Sequence, residues 1–219
     1  MNAMDATLAP PKPRLRGRIH QVAFFVSIPA GVVLVLLASG PVATAVTLIY
    51  AVSLSAVFGS SAAYHRGVWS ERAHRWMRRL DHSMIFVLIA GSYTPISVLV
   101  LDGTWEAVLL SLVWTGAAIG VTLKMVRPHG LSVTSAILYM GLGWLAMIAF
   151  PQLVRGMTTA EVALMISGGL LYTAGAIVFA SRKPDPRPET FGYHEIWHAF
   201  MVAAATCHYA MVLLVLRPN

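Results

Sequence analysis

Residues 191–216 read FGYHEIWHAFMVAAATCHYAMVLLVL, and two properties of this stretch decide the fold class. From Ile196 to Leu216 there is no Asp, Glu, Lys or Arg, and about 20 residues at 1.5 Å rise are enough to cross the hydrocarbon core of a bilayer. At the start of that run His194 and His198 stand four residues apart, which places them on one helical face. The stretch reads as a membrane-crossing helix that opens with a histidine pair at its polar edge.

Working outward, six more runs share the first property, at about 21–39, 42–64, 83–101, 107–123, 131–150 and 162–181, and none contains a charged side chain. The whole composition agrees. Of 219 residues 57% are hydrophobic and 11% charged, whereas a soluble domain carries roughly 25% charged residues. A solvated globular enzyme and a disordered chain are both excluded. The expected architecture is an all-α integral membrane bundle of seven transmembrane helices, since a barrel would show alternating strands of about 10 residues. Pro29, Pro95 and Gly168-Gly169 fall inside spans one, three and six, where a kink is tolerated if neighbours satisfy the freed backbone groups. The first run exceeds the 7–15-residue core of a signal peptide and is expected to remain as span one. Residues 1–19 are then a tail, and 20–217 a single seven-span domain.

The formal net charge of +7 would raise the question of nucleic acid in a soluble chain. Position answers it. The N-terminal segment and the segments after spans two, four and six hold 14 of the 16 basic residues; only Arg155 and Arg217 fall in the others. Lys and Arg collect on the cytoplasmic side, so the N-terminus is expected inside and the C-terminus outside. The setting is the cell membrane, the inner one in a Gram-negative cell, with membrane lipids as partners and no nucleic acid. The single cysteine, Cys207, excludes an internal disulfide and a Cys-x-x-Cys metal site.

Ionisable residues at a membrane boundary are costly and so point to function. His65 ends span two, with Ser61 one turn deeper on the same face; Asp81 and His82 open span three; His194 and His198 open span seven. The expected topology puts all of them in one layer. His65, His194 and His198 would supply three nitrogen ligands and leave a fourth tetrahedral position for water, the pattern of a catalytic zinc site. Asp81 would orient or deprotonate that water, and Ser61 would hydrogen-bond to it or to a substrate oxygen.

The residues alone leave a plainer account open, in which these are hydrogen-bonded helix-end histidines and Asp81 forms an interfacial ion pair with Arg78 or Arg79. His82 reads as a helix-end residue that is hydrogen-bonded or equally faces a headgroup, and His208, roughly 20 Å along the helix from His194, as bonded to another helix. His20 at the mouth of span one, and His74 and His129 in loops, read as solvated imidazoles. Glu195 completes the zinc-protease pattern His-Glu-x-x-His, but it suits the first turn of a helix through the dipole and points about 100° away from His194. It is left outside the site. Trp105 and Trp197 read as interfacial anchors.

Three blocks, Ser61-Ala62-Ala63-Tyr64-His65, Asp81-His82-Ser83-Met84-Ile85-Phe86 running on to Ala90-Gly91-Ser92-Tyr93-Thr94-Pro95, and Phe191-Gly192-Tyr193-His194-Glu195-Ile196-Trp197-His198, resemble the haemolysin III family. That family belongs with the progestin and adipoQ receptors and, more widely, the alkaline ceramidases. The resemblance covers nearly the whole chain. It implies a seven-helix bundle with its N-terminus inside and Zn2+ near the cytoplasmic face on His65, His194 and His198, with Asp81 contacting the zinc-bound water and Ser61 close by. The implied activity is hydrolysis of an amide or ester in a lipid. A receptor with structural zinc, a cytolytic pore former and an intramembrane metalloprotease are the competing readings. A pore should be polar along its whole depth, whereas here only His208 lies deep.

Overall fold

The computed structural model describes residues 13–126 and 132–217. Among these residues eight α-helices follow one another: α1 Arg18–Leu37, α2 Pro41–Arg66, α3 Glu71–Val100, α4 Thr104–Val126, α5 Ser132–Gly143, α6 Phe150–Gly156, α7 Thr159–Ser181 and α8 Tyr193–Val215, with a 3-10 turn, Leu145–Ala149, between α5 and α6. Among the described residues seven stretches are long and apolar enough to cross a membrane, six of them single helices and the fifth, Ile137–Gly156, assembled from the end of α5, the turn and α6. Among the described residues there is no strand, only an isolated bridge between Arg187 and Phe191. The chain is a multi-pass, all-helical membrane protein.

Local chemistry sets the helix ends. Pro41 starts α2 where a missing N–H costs nothing, Ser70 caps α3 through the Ala73 N–H, and Thr158 and Glu161 form a capping box on α7. Short connections make sequential helices antiparallel neighbours. α2 packs between α1 and α3, α3 continues to α4, α7 lies along α8, and α8 returns to both α1 and α3, which closes the bundle. Tyr50, Phe86, Leu34, Leu109 and Met211 are fully enclosed, while Val22, Phe25, Val26, Val32, Val33 and Leu36 of α1 stay exposed. In lipid those outward faces are in their proper solvent.

Two elements differ from their sequence-based form. Residues 66–79, read as a loop, are mostly the first turns of α3, so His74 is helical and lies 5.0 Å from the Tyr64 ring. His129, Arg127 and Lys12 lie outside the described residues. Span five is not one helix: it breaks after Gly143, and Tyr93 of α3 bridges the break by donating to Gly143 O and accepting from Ala146 N, both at 2.8 Å. Irregular backbone at membrane depth survives only where protein groups satisfy it in this way. At Gly168 α7 runs through without interruption, and the missing side chain lets α8 approach, with Ala204 O 3.2 Å from where a Cβ would stand and the His208 ring closer still.

Candidate metal centre

Four helices deliver side chains to one end of the bundle. The last turns of α2 bring Ser61 and His65, α3 brings Asp81 and His82, the first turns of α8 bring His194 and His198, and the start of α1 brings His20. His65, His194 and His198 each offer one ring nitrogen, and the three lie within 4.8 Å of one another. His65 Nε2 and His194 Nε2 are 3.3 Å apart. Ring centroids are separated by 4.6 Å for His194–His198, 4.8 Å for His65–His194 and 5.1 Å for His65–His198, at steep mutual angles. His65 and His198 are buried and His194 half-buried. Rings inclined to one another with convergent nitrogens are what a shared cation requires; the donor set of three imidazoles fits a tetrahedral metal with one position left open.

Beside this cluster the Asp81 carboxylate accepts a hydrogen bond from the Ser61 hydroxyl. Its Oδ2 lies 4.0 Å from His65 Nε2 and 3.7 Å from His82 Nδ1. Ser61 is 2% exposed and the Asp81 side chain 14%, so this hydroxyl and carboxylate form a largely shielded pair next to the imidazoles. His82 itself donates from Nδ1 to Arg78 O at 2.7 Å, which ties it to its own helix. The Arg79 guanidinium, read from sequence as a possible partner of Asp81, lies instead over the Trp76 ring at 4.7 Å.

Glu195 does not face the imidazoles. One carboxylate oxygen accepts from Gly192 N at 2.9 Å and caps α8, and the other accepts from Arg16 Nε. The residue is 1% exposed, and the ion pair holds the segment before α1 across the start of α8. Arg14 N and Leu15 N extend this clasp by donating to Glu189 O and Thr190 O at 3.0 and 3.2 Å. Gly17, which ends the segment, has φ 77° and passes so close to α2 that a Cβ would stand 2.6 Å from that of His65. Only glycine combines that backbone with that approach.

His20 corrects the sequence reading outright. Expected to be solvated, it is 1% exposed and stacks on His198, with centroids 3.8 Å apart and planes 10° apart. It has no spacing partner in the sequence, but it stands at the same end of its span as His65, Asp81 and His194, and that shared depth was the available signal. His208, by contrast, lies away from the cluster, with Nε2 3.4 Å from Met165 O and its ring 5.6 Å from that of Tyr172.

Comparison with known proteins agrees with this architecture. The family described as haemolysin-III related matches residues 8–209. Hemolysin-3 of Bacillus cereus is 31% identical over 203 residues, covering 91% of this chain and 90% of its own. The hemolysin-3 homolog of Bacillus subtilis is 32% identical over 197 residues, 89% of each. The human monocyte to macrophage differentiation factor is 27% identical over 165 residues, 74% of this chain and 66% of its own. The chain belongs to the haemolysin III-related family.

Proposed function

We propose that this protein is a zinc-dependent membrane hydrolase that cleaves an amide or ester linkage in a lipid. The observation that carries the reading is the convergence of His65, His194 and His198 within 4.8 Å, beside the Ser61–Asp81 pair. His65, His194 and His198 would hold the ion. When bound, zinc supplies a polarising Lewis acid and a water of lowered pKa. Asp81, 4.0 Å from His65 Nε2, is placed to take a proton from an attacking water and to pass it on to the leaving group. Ser61 orients that carboxylate and offers its hydroxyl to a substrate oxygen. Arg16, Arg66, Arg78 and Arg79 flank this end of the bundle, which supports an orientation toward the cytoplasm, at the depth where a lipid headgroup joins its chains. Residues 20–217 act as one domain in the cell membrane.

The test is metal analysis of purified wild type and His65→Ala protein, followed by a panel of ceramides, acyl-amides and phospholipid esters. Zinc near one per chain in wild type, its loss in the variant, and turnover of one substrate class support the reading. Wild-type protein without metal overturns the centre; metal-loaded protein that turns over none of the panel overturns the hydrolase. The name of the Bacillus relatives favours a second reading, a cytolysin, which dye leakage from liposomes would establish if mutations remote from His65 abolished it.

A further inference from the structure

Among the described residues His20 is the most enclosed histidine at this end of the bundle. Its side chain comes from α1, and it stands outside the trio whose nitrogens converge. Neither ring nitrogen makes a well-formed hydrogen bond among the described residues, although the His198 backbone lies close by. What the ring meets is other rings: it lies parallel to His198 at 3.8 Å and tilted against Phe58 at 5.1 Å. Phe58, Ser61 and His65 recur at i, i+3 and i+7 along α2, so the helix that carries one ligand of the trio also supplies the wall behind His20.

A buried imidazole whose nitrogens make no well-formed bond contributes through its faces. His198 requires such support. A metal-binding histidine is ordinarily aimed by a hydrogen bond from its second nitrogen, yet among the described residues the ring of His198 makes no hydrogen bond through either nitrogen, and its Nδ1 is fully enclosed. The χ2 torsion of a histidine is broad, so without that bond the plane of the ring is set by what packs on it. His20 does not serve as a further ligand: in parallel rings the in-plane lone pairs run side by side and do not meet at a point between them.

We propose that His20 is a positioning residue of the metal centre, which by stacking on His198 fixes the plane of that ring and the direction of its nitrogen. The proposal rests on reading His65, His194 and His198 as metal ligands. Phe58, His20 and His198 form a column across three helices, α2, α1 and α8, and the column sets the aim of the last ligand in the chain.

The test uses the full-length protein as wild type, His20→Ala and His20→Phe, with His65→Ala as the control that removes a ligand. Two quantities are read: cobalt(II) affinity with its visible absorption spectrum, and the NMR shifts of the His198 ring protons in metal-free protein carrying labelled histidine. His20→Ala is expected to weaken cobalt binding about 10-fold, in the lower part of the roughly 10–100-fold range seen when an outer partner of a ligand is lost. It should also alter the spectrum and remove the ring-current displacement of the His198 protons. His20→Phe, which keeps the flat face and discards the nitrogens, should restore both. Wild-type affinity and unmoved His198 resonances in His20→Ala overturn the proposal, and so does a phenylalanine variant as impaired as the alanine one. If wild type binds no cobalt, the metal reading fails, while the NMR response alone decides whether His20 orders His198.

Discussion

His65 Nε2 and His194 Nε2 meet at 3.3 Å although 129 residues separate them in sequence. Two imidazole nitrogens at that distance either share one proton or flank a cation, and the third nitrogen, from His198, favours the cation. Removing any one of the three should therefore cost far more metal affinity than losing an outer partner, which costs roughly 10–100-fold. Competition against a graded series of chelators measures this for His65→Ala, His194→Ala and His198→Ala. A single variant with wild-type affinity removes that residue from the ligand set.

Metal retention should depend on pH with a definite sign. An imidazole ligates only when neutral, so each bound proton competes with the ion. Affinity should be steady while the metal-free trio is neutral and fall by about one to three decades per pH unit once its imidazoles begin to take up protons. Zinc binding measured in detergent from pH 8 down to the acid limit of the folded protein gives the slope, and an affinity that rises on acidification contradicts histidine ligation.

Glu195 belongs to the clasp and not to the chemistry. Glu195→Gln should keep metal and turnover, because neither carboxylate oxygen faces the imidazoles. Glu195→Ala removes the cap on Gly192 N and the partner of Arg16, and should lower stability by about 1–3 kcal/mol. Thermal unfolding beside zinc content separates the two effects. A metal-loaded Glu195→Gln protein without turnover would restore the zinc-protease reading.

Tyr93→Phe tests the broken span. The hydroxyl bridges Gly143 O and Ala146 N, and hydrogen bonds between membrane helices contribute about 0.6–1.7 kcal/mol each. A loss of about 1–2 kcal/mol is expected, with zinc content unchanged, since the bridge lies away from the histidines. Denaturant titration in mixed micelles provides the number.

Gly17→Ala should damage stability and the site together. A non-glycine residue in the left-handed region costs about 1–2 kcal/mol, and the added Cβ meets that of His65. The variant should melt earlier and bind cobalt with an altered spectrum. Wild-type melting would show that the segment before α1 tolerates a shift away from α2.

The helical class and most of the boundary residues were legible because bilayer physics leaves so few charges to sort. His65, Asp81, His194 and His198 stood out by depth alone, and the i, i+4 spacing of the last pair added direction. His20 escaped because no neighbour in the sequence shares its face; its partners, Phe58 and His198, come from other helices, and stacking leaves no periodic trace. The break in span five escaped for a related reason. Gly141, Gly143 and Pro151 are visible in the sequence, but the group that makes a break tolerable, Tyr93, lies on another helix. The pairing of Glu195 with Arg16 likewise depends on how the first and last helices meet.

The long separation between His65 and His194 has a consequence for biogenesis. As the chain is inserted helix by helix, everything through α7 can be in place with one imidazole of the trio present. The other two arrive with α8, and so does the partner of Arg16. A chain that stalls, or is clipped before its last crossing, has no cluster at all, so under the proposed function metal loading would mark a polypeptide whose insertion is finished.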